Sequence, residues 1–306
     1  MKNQSIPTPQ TEIAIELRGL RKSYGKVKAL RGIDLEVCRG EIFGFLGPNG
    51  AGKTTTIRCL LDMIRPDGGT TSLLGINPQS DPVAVQALTG YLPGEVQYYE
   101  NLTAERQLSF YSDMRNGRAD WKFVQELAER LDLNMKQAIK NLSKGNKQKI
   151  GVIQALMHHP QLLLLDEPTS GLDPLMQQEV LSLLREANGQ GATVFFSSHI
   201  MSEVESLAQR VAIIRSGEIV ETAETSALTG RSVRRLTVRL KRPASRLSIE
   251  NLPGVEVLPG SDATSFTLQV IGDMEMLVKA LGDYPILDLE TTHPSLEEAF
   301  LAFYKR

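Results

Sequence analysis

Residues 47–54 read GPNGAGKT, a glycine-lysine-threonine spacing suited to phosphate. Gly47, Pro48, Asn49, Gly50, Ala51 and Gly52 make the loop, whose glycines let successive backbone N–H groups close around phosphate oxygens. Lys53 neutralises the β- and γ-phosphates of a nucleotide, Thr54 offers a hydroxyl to Mg2+, and Thr55 reaches the α-phosphate. In LLLLDEP, a buried strand delivers Asp166 to the metal shell and sets Glu167 beside it as general base on water. SSHI follows the apolar run TVFF and puts His199 at a strand's C-terminal end, where open α/β sheets bind ligands. His199 is read as a γ-phosphate contact. A second segment, NLSKGNKQKIG, also has anion chemistry: Ser143 caps a helix, Gly145 keeps the backbone open, and Lys147 and Lys149 follow. His158 and His159 end that helix before Pro160, where imidazole suits the dipole.

Two anion sites need a scaffold that presents both. From residue 11 to 221 short β-rich runs such as IAIEL, IDLEV, EIFGFL, QLLLLDE, TVFFSS and RVAIIRSG alternate with helical ones. That rhythm predicts an α/β domain with a largely parallel sheet. Residues 101–160 read as almost wholly helical, a subdomain of about 95–160 inserted in the sheet domain. Thr103 caps its first helix, with Glu105 in the first turn, and Phe123, Leu127 and Leu131 share a face of a later one. Residues 222–306 form a small α+β domain. RRLTVRL and SFTLQV alternate in period two, DMEMLVKALG ends at Gly282, and Ser295 and Glu298 in PSLEEAFLAFY make a capping box. No constellation with chemistry appears there. Residues 1–10 read as a disordered tail without a signal-peptide segment.

At 306 residues the chain is long enough for about two domains. Its 34 basic and 36 acidic residues argue against a nucleic-acid partner or a polybasic membrane arm. Cys38 and Cys59 lack paired spacing and read as reduced, buried cysteines of a cytosolic protein. No run approaches the roughly 20 apolar residues of a membrane helix, so any membrane part must come from a partner.

Taken together, GPNGAGKT, LSKGN, LLLLDEPTSGLD and SSHI resemble the nucleotide-binding subunit of an ATP-binding cassette (ABC) transporter. The likeness covers residues 11–221 and implies a P-loop ATPase that uses ATP and Mg2+. It implies a head-to-tail pair, a homodimer before a heterodimer, in which Ser143 and Gly145 hold the γ-phosphate of the neighbour's nucleotide. Asp173, in SGLD, would lie at the seam, and Tyr24 would stack on adenine. An integral membrane permease would be the second partner, which places the chain in the cytoplasm, peripheral at the inner face of the membrane.

LSKGN carries Lys144 and Asn146 where the family pattern has Gly and Gln. GYLPGEVQYY puts Gly94 where a metal-contacting glutamine belongs, leaving Glu95, Gln97 or water for that place. These variants, with the PSLEEAFLAFY ending, resemble the drug and antibiotic exporter branch. The competing readings are a soluble, non-transport ABC ATPase and a nucleotide-gated regulatory subunit.

Overall fold

The computed structural model describes residues 12–117, 119–228, 233–243, 249, 252–258, 264–271 and 274–292. The tail at 1–10 and the helix read in PSLEEAFLAFY lie outside these residues. The chain divides into two compact units, Met1–Thr222 and Ala223–Arg306.

In the first unit β1 (Ile13–Tyr24) and β2 (Val27–Cys38) form a hairpin, with Tyr24 opposite Val27 and only Gly25 and Lys26 between them. Past β3 (Ile42–Leu46), strand β4 (Gly68–Leu73) pairs with the free side of β1, giving an antiparallel sheet of order β2-β1-β4. The expectation of a largely parallel arrangement is therefore wrong for IAIEL and IDLEV. A two-residue connection returns the chain antiparallel, whereas a parallel neighbour needs a crossover of about a dozen residues.

The second sheet holds β5 (Thr89–Leu92), β6 (Leu162–Asp166), β7 (Thr193–Ser198), β3, β8 (Arg210–Arg215) and β9 (Glu218–Glu224), in that spatial order. From β5 to β8 the neighbours are parallel. β3, β6 and β7 are buried along their whole length, which is why they read as near-continuous apolar runs. Their shared direction brings their C-terminal ends to one edge, with Leu46 opposite Ser198 and Asp166 opposite Ser197. One core cluster joins Ile15, Leu17 and Val37 of the antiparallel sheet to Phe45, Leu164 and Phe195 of the parallel one.

Helices α1 (Lys53–Leu60) and α2 (Pro82–Leu88) flank β4 in sequence. Between β5 and β6 come α3 (Ala104–Met114), α4 (Trp121–Arg130) and α5 (Lys144–Leu156), and after β6 come α6 (Pro174–Gly189) and α7 (Met201–Leu207). Thr103 caps α3 and Ser143 caps α5. α4 buries Val124, Leu127 and Ala128, and Leu131 is buried at its C-cap. Residues 101–160 are less helical than their sequence predicts. The stretch 131–143 holds one 3-10 turn, Ile139–Asn141, because its backbone pairs instead with the chain before α3: Ile139 N–H donates to Leu102 O and Lys140 N–H to Glu100 O. α5 rests directly on β5. A Cβ on Gly90 would fall 2.1 Å from Ala155 O, and one on Gly151 would fall 2.5 Å from Leu92 Cδ1.

In the second unit an antiparallel sheet has the order β11 (Val255–Val257), β12 (Ser265–Ile271), β10 (Val233–Leu240), β13 (Ile286–Thr292). Leu236, Val238, Leu240, Phe266, Leu268 and Val270 share its core with Leu277 and Leu281 of helix Glu275–Leu281. Gly282 is that helix's C-cap at φ −58°, so the position makes no use of glycine's left-handed freedom. Among the described residues no helix is long and apolar enough to cross a membrane. Both cysteines are free, Cys59 buried and Cys38 half-buried.

Candidate functional site

The loop 47–52 leaves β3 and enters α1. Gly47 N–H donates to Ser198 O at 3.3 Å, so the end of β7 holds the start of the loop. A Cβ on Gly47 would lie 2.5 Å from Ile214 O, and one on Gly52 would lie 2.8 Å from Ala29 O, so neither position admits a side chain. Gly52, at φ +118°, is the N-cap of α1 and brings no side-chain cap. Helices α2 to α6, by contrast, are capped by Asp81, Thr103, Asp120, Ser143 and Asp173. No side chain therefore competes with an anion for the first N–H groups of α1. Asn49 and Gly50 are exposed, Pro48, Thr54 and Thr55 half-buried, and Ala51 buried.

Lys53 is buried, and its Nζ donates to Gly47 O at 2.7 Å and Pro48 O at 3.3 Å. Burial lowers its pKa, opposed by the charges of Glu167 and Asp166. Thr54 Oγ1 donates to Asp166 Oδ2 at 2.6 Å, and Ser197 Oγ donates to Asp166 Oδ1 at 2.5 Å. Glu167 Oε1 lies 3.6 Å from Lys53 Nζ and 3.1 Å from His199 Nδ1. Its backbone sits in the left-handed region at φ 52°, an unusual conformation for a glutamate of the kind found at functional sites. So β3, β6 and β7 bring Lys53, Thr54, Asp166, Glu167 and His199 into one linked group.

Ser143 and Gly145 are placed differently. Ser143 is exposed and its Oγ accepts from Asn146 N–H at 3.2 Å. A Cβ on Gly145 would fall 2.6 Å from Gly171 O, so the start of α5 rests on the SGLD loop. Asp173 is exposed there and caps α6 through Leu175 N–H and Met176 N–H. The described contacts of Ser143 and Gly145 thus run to Asn146 and Gly171, not to the loop 47–54. Tyr24 stands at the β1–β2 hairpin tip, 48% exposed, with Lys22 Nζ 5.7 Å from its ring centre.

Two readings of charge need correction. Lys147 pairs with Glu100 at 3.5 Å, and Lys149 is buried with its Nζ on Asp132 O at 3.4 Å, past the C-terminal end of α4. Neither lysine belongs to an anion site at Ser143. α5 ends at Leu156, so His158 and His159 lie beyond it. Burial, reinforced by Arg115, lowers the pKa of His158 to about 4, so it is a neutral acceptor for Arg115 Nη1 at 2.8 Å rather than a cation on a helix dipole. His159 stacks on Phe123, ring centres 4.6 Å apart.

Gly94 lies beside Asp166: a Cβ there would be 3.0 Å from Asp166 Oδ2. Glu95 and Gln97 are exposed, and Gln97 lines a surface depression with Tyr98, Glu100 and Lys147. Three polar residues of the site escape the sequence reading. Ser197 orients Asp166, Gln148 Nε2 donates to Glu167 O and Pro168 O at 3.1 Å each, and Glu203 takes the hydroxyl of Ser198. Each is a polar residue on a buried face. Gln148 shares the buried stripe of Gly151, Val152 and Ala155, and Glu203 precedes Leu207 by four.

A glycine loop between a parallel strand and a helix, with a buried acid at the next-but-one strand end, defines a P-loop nucleoside-triphosphatase. Comparison with known proteins carries this further. The model of the ABC transporter family matches residues 30–170. The chain is 33% identical to the linearmycin resistance ATP-binding protein LnrL of Bacillus subtilis, over 94% of this chain and 97% of LnrL. It is also 33% identical to the daunorubicin resistance ATP-binding protein DrrA3 of Streptomyces coeruleorubidus, over 95% of both chains. Among solved structures, an ATP-binding subunit of an ABC transporter superposes with a TM-score of 0.65 at 28% identity, over 70% of this chain and 91% of that one. The chain belongs to the ABC transporter family, as an ATP-binding, ATP-hydrolysing cassette.

Proposed function

We propose that the chain is the ATP-hydrolysing half of a pump that moves antibiotic-like compounds out through a separate membrane permease, and that it works as one of a pair. The relatives named for linearmycin and daunorubicin resistance support the substrate class, and they match over nearly the whole chain. Pairing is supported by one observation above all: Ser143 and Gly145 sit at an exposed, glycine-bearing helix start that the loop of the same chain does not use. A second copy, related by a twofold axis, would present its own nucleotide to that surface. Asp173, exposed beside it, would lie at the seam, and Tyr24 would stack on adenine. A homodimer is the simpler assembly. Binding to the permease would hold the chain at the inner face of the membrane.

Within the site, the loop 47–52 and Lys53 would hold the β- and γ-phosphates, with Thr55 on the α-phosphate. Lys53 would exchange the carbonyls of Gly47 and Pro48 for phosphate oxygens. Thr54 and Asp166, linked at 2.6 Å, offer an all-oxygen donor pair of the kind that suits Mg2+ and would hold it. When bound, the metal would neutralise charge on the phosphates. Glu167 would take a proton from the attacking water, and His199, 3.1 Å from it, would contact the γ-phosphate.

The test is resistance. A drug-sensitive host expressing the chain with a candidate permease should gain antibiotic tolerance, and the two proteins should copurify. The same host carrying Glu167→Gln should be sensitive. Equal tolerance with Glu167→Gln, or no association with any membrane protein, would remove the pump reading.

A further inference from the structure

We propose that Glu203 is a positioning residue for hydrolysis, setting the Glu167–His199 geometry by holding both of the segments that carry these side chains. This rests on the roles given above to Glu167 and His199.

β6 and β7 pair as far as Asp166 and Ser197. Glu167 N–H still donates to Ser197 O at 3.1 Å; beyond it the segments leading to Thr169 and His199 run on without a described backbone bond between them. Glu203 spans the gap. Its Oε2 accepts from Ser198 Oγ at 2.8 Å, and its Oε1 accepts from Thr169 Oγ1. Ser198 immediately precedes His199, and its hydroxyl also takes Ile200 N–H at 2.9 Å, which fixes the turn that presents the imidazole. Thr169 follows Glu167 by two, in a turn closed by Ser170 N–H on Glu167 O at 3.1 Å.

Packing does not orient His199, whose side chain is 47% exposed. Its direction is set by the 3.1 Å contact of Nδ1 with Glu167 Oε1 and by its backbone, which the Ser198 turn fixes. Glu203, Thr169 and Ser198 are all buried, so their hydrogen bonds do not compete with water. The platform is rigid as well. A Cβ on Gly44 would lie 2.7 Å from Val204 Cγ1, so α7 is seated hard against β3, the strand that feeds the phosphate loop. A buried carboxylate is costly, and both described partners of Glu203 are neutral hydroxyls.

The experiment measures kcat and KM for ATP on the full chain as Glu203→Leu, Glu203→Gln, His199→Ala and the Glu203→Leu/His199→Ala double variant. Glu203→Leu should lower kcat about 10- to 100-fold, the scale of a small misplacement of reacting groups. Its ATP affinity should stay within about twofold, because the phosphate loop is untouched. Glu203→Gln should restore most of the rate, since an amide can accept from one hydroxyl and donate to the other. Placed on His199→Ala, the leucine should cost little more, because the residue it positions is gone. If Glu203→Leu does not fold, Thr169→Val with Ser198→Ala removes the same two bonds and should show the same loss of kcat. A slow His199→Ala enzyme beside a fast Glu203→Leu enzyme, or two losses that simply multiply, overturns the positioning role alone. A fast His199→Ala enzyme overturns the role of His199, and this proposal with it.

Discussion

The phosphate loop and the start of α5 are both helix N-termini with glycine and lysine close by, yet they face different problems. At the loop, α1 begins on a glycine with no side-chain cap, and its own Lys53 and Thr54 meet Asp166, Glu167 and His199 from the ends of β6 and β7. At α5, Ser143 already satisfies Asn146 N–H, Lys147 and Lys149 are committed to Glu100 and Asp132, and Gly145 rests on the SGLD loop. The first region is a site with its chemistry assembled. The second is a surface with a cap and a close backbone approach, and no reacting groups of its own. Spacing and residue type alone make the two look alike; what separates them is where the other side chains go.

The difference is broken most severely at Glu167. Glu167→Gln should keep ATP binding and lower turnover by about 10² to 10⁴, leaving an ATP-bound dimer that is visible by size-exclusion chromatography. Unchanged steady-state hydrolysis would take Glu167 out of the base role. The next effect tests whether the two regions serve different molecules. Ser143→Arg should bind ATP but not cap a partner's nucleotide, and Lys53→Ala should have a sound α5 start but a weakened loop. Each alone should be inactive, and mixing them should restore one composite site and ATP-dependent dimerisation that grows with protein concentration. Normal hydrolysis by Ser143→Arg would end the two-chain reading.

Gly145→Ala sharpens the contrast by geometry. The added methyl would meet Gly171 O at 2.6 Å, so the start of α5 must shift. Hydrolysis should fall about tenfold, with ATP affinity of the loop unchanged. A loss of ATP affinity instead would mean that α5 contributes to its own chain's nucleotide. Smaller still is Gly94→Gln, whose Cβ would sit 3.0 Å from Asp166 Oδ2. It should shift the midpoint of a Mg2+ titration about threefold. An unshifted curve would place position 94 outside the metal's reach.

The smallest effect lies at the far end of α5 and serves as a control for both regions. His158 has its pKa lowered from 6.5 to about 4 in the fold by burial and by Arg115. Between these values the unfolded chain binds a proton that the native state does not, so stability should fall as pH drops from about 6.5 towards 4. The loss between pH 7 and 5 should be on the order of 2 kcal/mol, read from urea midpoints. His158→Gln should flatten that slope and leave ATP hydrolysis alone.

The sequence by itself determined those features whose physics is local. The spacing GPNGAGKT can close around phosphate because its glycines admit the backbone turns, and the short apolar runs before Asp166 and His199 read as buried strands, as they are. The Ser143 and Thr103 caps were legible for the same reason: cap and capped N–H groups lie within three residues. Tertiary structure alone decided the rest. The pairing of β1, β2 and β4 depended on a two-residue turn, and the commitments of Lys147 and Lys149 depended on partners 47 and 17 residues away. Gln148, Ser197 and Glu203 escaped the sequence reading because a buried polar side chain is identified by what it meets, and each meets a strand end remote in sequence or newly turned by the fold. Periodicity reports which face of an element is buried. It carries no record of the hydrogen bond waiting on that face.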